Sequence, residues 1–250
     1  MLSQSELRIE PSAEIVAAAR RWLERPRAAL GPEFLAAYLT GSVLSQGFDP
    51  RHSRVNVLVV ARDLSVDRLD ALARSIPAPA KGASFEPLFL TRRQIEKSLD
   101  VFPIEWLEIQ ERHVRLEGED VFGGLEVPIT YLRLQLEHEL RGKHIQLRQA
   151  YLAAADRPAD LGKMLKAGAS SFSALFRTLL RLRGESPPAD STRVIERVAT
   201  LYGVDAQRLL TAHRFRHSVR RWKPAEMVAH YRDFLGEVDR LVTAIDELSF

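Results

Sequence analysis

Residues 38–60 read Tyr38-Leu39-Thr40-Gly41-Ser42-Val43-Leu44-Ser45-Gln46-Gly47-Phe48-Asp49-Pro50-Arg51-His52-Ser53-Arg54-Val55-Asn56-Val57-Leu58-Val59-Val60. The stretch from 53 to 61 is dense in Val55, Val57, Val59 and Val60 and is too short and too apolar for anything but a buried strand. Side chains alternate across a strand, so Arg54 and Asn56 share one face while Val55, Val57 and Val59 take the other. Gly41 follows the apolar segment 34–39, where a glycine lets a ligand or another backbone come close. Ser42 opens the next turn, where N–H groups and a hydroxyl can hold a phosphate. The plainer alternative is a strand-to-helix turn at Gly41-Ser42 and a strand edge at Ser53-Arg54.

In order and spacing these residues resemble the nucleotide-binding signature of the polymerase-beta-type nucleotidyltransferases. There a strand ends in Gly-Ser, a short helix follows, and the next strand opens with Ser-Asp-hydrophobic-Asp before an apolar run. Gly41 and Ser42 match the first half and Ser53 begins the second, but the two aspartates fall on Arg54 and Asn56. The family's third carboxylate lies on a later strand, where the resemblance points to Glu86. Pro87 beside it implies an edge strand or a bulge. The resemblance also implies a small mixed sheet with helices on one side.

Nucleotidyl transfer in that family needs carboxylates to hold two divalent metals around the attacking and leaving oxygens. Asparagine offers one neutral carbonyl oxygen, and arginine offers only donors. An Arg54 charge about 4 Å from a divalent ion opposes it by up to roughly 8 kcal/mol at an effective dielectric near 20. Ordinary two-metal catalysis is therefore disfavoured, and no cofactor is expected. Magnesium enters only under the alternative of an active enzyme, with Asp49, Asn56 and Glu86 around one metal. Arg54 itself has two readings. It replaces the missing metal charge and binds a nucleotide or other anion, or it is a surface arginine paired with Asp49 or Asp63.

Composition sets the outer limits. The 250 residues suffice for one large domain or two ordinary ones, and 46% hydrophobic with 28% charged residues is usual for a globular chain. The net charge of +3 is too small to demand a nucleic-acid partner. No cysteine is present, which excludes disulfides, thiolate zinc sites and cysteine nucleophiles. Neither a signal-peptide pattern nor an apolar run of membrane-spanning length is visible, so a cytoplasmic location and no membrane partner are expected.

The chain divides into residues 1–127 and 128–250. In the first half Ser12 caps a helix through about residue 24, which Pro26 interrupts. Strands are expected at 34–40, 53–61 and 83–90, a short helix capped by Thr91, and a short helix plus a further strand between 102 and 127. In the second half helical spacing runs over 130–155 and 160–182, then a helix closed by Gly203, a helix capped by Asp205, and a last one begun by Pro224. The fold class expected is α+β: a nucleotidyltransferase-like mixed sheet with helices, then an all-α antiparallel bundle. A helical domain in this position is also what the resemblance implies through the kanamycin-type members of the superfamily.

Two groups in the helical half are candidates for chemistry. Arg141, His144 and Arg148 stand at i, i+3 and i+7, read as one stripe opposite the leucines of their helix, with Glu137 one turn before; the stripe either meets phosphate or is a solvated face. Between 208 and 223 stand Arg208, Arg214, Arg216, Arg220, Arg221 and Lys223 with no acid among them. This run is either a phosphate-contacting surface for RNA or DNA or a solvated basic helix, with Phe215 and Trp222 able to stack on bases or to serve the core. Arg208 and His213 also match a spacing seen in helical ribonuclease domains. The leading expectation is a catalytically degenerate nucleotidyltransferase-like protein whose partner is a nucleotide or other phosphate-containing small molecule, held by Gly41, Ser42, Ser53, Arg54, Asn56, Arg141, His144 and Arg148. The alternatives are the active metal-dependent enzyme and a nucleic-acid-binding protein; oligomeric state is not readable from the sequence.

Overall fold

The computed structural model describes residues 9–45, 48, 54–76, 84–154, 156–215 and 222–247. Proximity along the backbone divides the chain into two compact units, Leu2–Pro128 and Ile129–Phe250.

The first unit opens with α1 (Ala13–Leu30), where the Ser12 hydroxyl accepts from the Ile15 N–H at 3.3 Å. Pro26 does not end this helix, as the sequence suggested, but lies inside it. A proline costs the helix one hydrogen bond, on the order of 3 kcal/mol in an interior. Continuing past it buries Pro26 itself and Leu30, and full burial of a leucine recovers roughly 1.5–3 kcal/mol. The strands are β1 (Phe34–Thr40), β2 (Val55–Ala61), β3 (Phe85–Thr91) and β4 (His113–Gly118), with α2 (Val66–Ser75) between β2 and β3. After β3 come α3 (Arg92–Glu96), opened by the reciprocal Thr91–Gln94 capping box, and α4 (Pro103–Glu111).

The sheet order is β3-β2-β1-β4. β1 is antiparallel to both neighbours and β2 is parallel to β3, so the sheet is mixed. Pro87 sits on β3 at the sheet edge, where its missing N–H breaks no ladder. Val55, Val57 and Val59 pack with Ala19, Trp22 and Leu23 of α1 and Leu72 of α2. Leu58 and Val60 pack on the other face with Tyr38, Ile95 of α3 and Trp106 of α4. Helices thus cover both faces rather than the one side implied by the resemblance. A strand buried on both faces reads as a continuous apolar run instead of an alternating one, which is what 55–61 shows.

The second unit is helical: α5 (Leu132–Ala154), α6 (Pro158–Leu182), α7 (Ser191–Tyr202), α8 (Ala206–Phe215) and α9 (Pro224–Asp246). Short connections such as the one between α5 and α6 leave neighbours antiparallel. Leu136, Leu140, Leu165, Phe172, Leu179, Val198, Tyr231, Phe234 and Leu241 are buried between them. Phe172 meets Phe234 edge-on at 5.3 Å. The buried Tyr231 hydroxyl donates to the Leu147 carbonyl at 2.9 Å, and burial pushes its pKa up to about 12. Glu237 is fully buried on α9 and fully used. It accepts from the Asp205 N–H and from Arg208, both at 2.9 Å, and from Arg240 at 3.3 Å. Among the described residues no helix is long and apolar enough to cross a membrane.

Candidate functional site

β1 delivers the chain to Gly41 at one end of the sheet, and strand register sets what stands beside it. Thr40 pairs with Asn56 on β2 and with His113 on β4, while Asn56 pairs with Glu86 on β3. Glu86, Asn56, Thr40 and His113 therefore form a row across all four strands. Gly41 has φ +75°, and a Cβ on it would stand 2.7 Å from Asn56 Nδ2. Only glycine satisfies both the left-handed backbone and that approach.

The segment after β1, Gly41–Leu44, is a single turn of 3-10 helix, with Ser45 N–H donating to the Ser42 carbonyl at 3.0 Å. One such turn has little macrodipole. The corner therefore offers the exposed Ser42 and a single short turn rather than a developed helix N-terminus.

Arg54 continues the alternation of β2 on the face of Asn56, and its Nη1 donates to Glu86 Oε1 at 3.0 Å. The side chains are 67% and 54% exposed, so the pair contributes at most about 1 kcal/mol to stability. Asp63, one partner the sequence offered for Arg54, instead faces Arg68 at 3.7 Å. The other, Asp49, lies outside the described residues, as does Ser53.

Among the described residues Glu86, Asn56 and Arg54 bring one carboxylate, one amide and one guanidinium to this end of the sheet, with the carboxylate already on the guanidinium. Among the described residues no group of three or more His, Cys, Asp or Glu side chains is placed to hold a metal ion. This donor set does not fit a two-metal centre, because Arg54 supplies only N–H groups and Asn56 only a neutral oxygen.

Sequence reasoning missed Thr40 and His113. Thr40 is buried, and the half-buried His113 has Nδ1 2.9 Å from the Ile109 carbonyl, with its ring edge-on to Tyr38 at 5.1 Å. The carbonyl can only accept, so Nδ1 carries the proton. Tyr38 in turn donates to the Glu119 carbonyl at 2.7 Å and accepts from the Val121 N–H at 2.9 Å. Burial raises its pKa, so the phenol stays protonated and the segment after β4 stays tied to β1. No local motif links residue 113 to residue 40; only the β1–β4 register does.

The helical candidates divide differently from the expected stripe. His144 is buried in line with Leu140 and Leu147, not opposite the leucines, and its Nε2 lies 3.2 Å from Asp239 on α9. Burial lowers its pKa, against the pull of Asp239. Arg141 binds Glu137 at 3.2 Å and also Asp246 of α9, whereas Arg148 is exposed. Three residues called one cationic face are therefore one buried ring, one committed ion pair and one exposed cation. Arg208 is likewise committed to Glu237, with Asp205 and Asp233 within 3.7 Å, so acids outside the 208–223 run reach it from α9 and from the α8 cap. Arg208, the arginine of the Arg208–His213 spacing, is thus held in a cluster of three carboxylates. Arg214 and Lys223 are exposed; Arg216, Arg220 and Arg221 lie outside the described residues. Phe215 stacks on Trp222 at 4.1 Å, and Trp222 meets His230 at 4.3 Å, so the two aromatics spend their faces on each other and on α9.

No family model and no curated protein matches the sequence. Among solved structures the chain is similar to spectinomycin adenyltransferase AAD(9) from Enterococcus faecialis, determined with ATP and spectinomycin. The TM-score is 0.57 at 15% identity, over 91% of this chain and 99% of that one. At such identity the likeness is one of fold: a nucleotidyltransferase-like mixed sheet followed by a helical region.

Proposed function

We infer that this chain is a nucleotidyltransferase-like protein that holds a nucleotide or another phosphate-containing ligand at the corner formed by Gly41, Ser42, Arg54 and Asn56, and has lost ordinary two-metal transfer. The observation that carries this reading is the Arg54–Glu86 pair at 3.0 Å. A guanidinium occupies a position where the resemblance places a metal-binding aspartate, and it holds the carboxylate matched to the family's third ligand. Fixed positive charge on a planar fork of donors suits phosphate oxygens without a metal. The bound ATP of the AAD(9) structure supports a nucleotide as the ligand class.

Purified protein with magnesium or manganese and any nucleoside triphosphate is expected to release no pyrophosphate above background. Arg54→Ala is expected to weaken ATP binding by about 1.5–3 kcal/mol, the range for a hydrogen bond to a charged group. Metal-dependent pyrophosphate release that Glu86→Ala abolishes would instead establish an active enzyme around Asp49, Asn56 and Glu86.

A further inference from the structure

We propose that Glu86 is a resident competitor at this anion site: its carboxylate occupies, on Arg54, the place that a ligand phosphate oxygen takes on binding. The inference rests on the nucleotide-site reading above and adds how access to that site is controlled.

The geometry has three parts. Asn56 and Glu86 are register partners on parallel strands, and Arg54 lies two residues before Asn56, so the ion pair spans a diagonal across the ends of β2 and β3. A carboxylate and a phosphate present the same kind of acceptor oxygen to a guanidinium, so both compete for one fork of donors. Finally, both side chains are more than half exposed and β3 is an edge strand, so Glu86 is free to swing aside without unpacking a core. With Glu86 in place the pair is neutral; with it displaced, Arg54 presents a full positive charge two residues from Asn56, the residue that Gly41 approaches. Binding at this corner is then an exchange of one oxyanion for another.

This assigns Glu86 an effect opposite in sign to that of a metal ligand. A carboxylate that helps to hold a metal and its nucleotide strengthens binding, and its loss weakens binding. A carboxylate that competes with the ligand does the reverse.

The test is calorimetric titration of ATP and of inorganic triphosphate, in EDTA at constant ionic strength, into wild type, Glu86→Gln, Arg54→Ala and the double variant. Glu86→Gln is expected to bind both ligands about two- to fivefold more tightly, the range corresponding to release of an exposed ion pair. In the Arg54→Ala background the same change is expected to give less than a twofold gain, because no guanidinium remains to be released. Glu86→Ala provides a second removal of the carboxylate and is expected to match Glu86→Gln. Unchanged or weaker binding by both Glu86 variants would overturn the proposal, as would a gain of equal size without Arg54. Absence of binding by all of these proteins would overturn the nucleotide-site reading and the competition with it; wild-type binding that the Glu86 variants leave unaltered would overturn the competition alone.

Discussion

Asn56 lies so close to Gly41 that a Cβ on the glycine would stand 2.7 Å from its Nδ2, at a backbone φ of +75°. Gly41→Ala combines a strained left-handed backbone with that overlap, and is expected to cost about 1–3 kcal/mol in urea unfolding. Adding Asn56→Ala to it removes the overlap but leaves the backbone strain. The double variant should therefore recover part of the loss; no recovery would show that Asn56 does not define this corner.

The buried His144 makes acid stability informative. Its folded pKa lies below the ordinary value of 6.5, with burial as the largest cause, Asp239 opposing, and Arg148 and Arg141 adding to the fall. The unfolded chain then takes up the proton first. Stability contributed by neutral His144 is fully present above pH 6.5 and is lost as pH falls through that value toward the depressed folded one. Urea unfolding between pH 7.5 and 5 is expected to show this decline, and His144→Gln to flatten it. An identical decline in the variant would assign it to other groups.

Glu237 is the reverse case, a buried carboxylate in the helical unit with no ligand role. Glu237→Ala removes the acceptor of the Asp205 N–H, Arg208 and Arg240. The arginines are 43% and 59% exposed and can resolvate, so the expected cost is about 2–3 kcal/mol in unfolding free energy rather than that of a fully buried pair. Nucleotide affinity should not change.

The basic run at 208–223 supports only a small electrostatic footprint once Arg208 is paired. Retention of duplex RNA or DNA at low ionic strength is expected to be absent. A salt-sensitive affinity with a log-log slope near −0.9 for each of three contacts, flattened by Arg216→Ala, Arg220→Ala and Arg221→Ala together, would revive the nucleic-acid reading.

What the sequence discloses here is what local chemistry determines. The valines at 55–60, the Thr91 cap with Gln94, the Asp205 cap and Pro224 at the start of α9 all act within a few residues, and each lies where its neighbours imply. Pro26 misleads because the gain that carries the helix past it comes from burial against the rest of the unit. His144 and Arg208 mislead because Asp239, Asp233 and Glu237 come from α9, some 25 to 95 positions away. The corner itself is partly legible: the order and spacing of Gly41, Ser42, Arg54, Asn56 and Glu86 point to it, and strand register with the close approach of Gly41 to Asn56 brings Gly41, Asn56 and Glu86 together. The pairing of Arg54 with Glu86 was not legible, since two acids nearer in sequence were equally available to it.

The most direct measurement is the affinity for ATP in excess EDTA compared with that in excess magnesium. If Arg54 supplies the charge that a metal supplies elsewhere in the fold, ATP binds in EDTA, and magnesium does not tighten it. ATP binding that appears only with magnesium would contradict the loss of the metal centre and return Glu86 and Asn56 to the role of metal ligands.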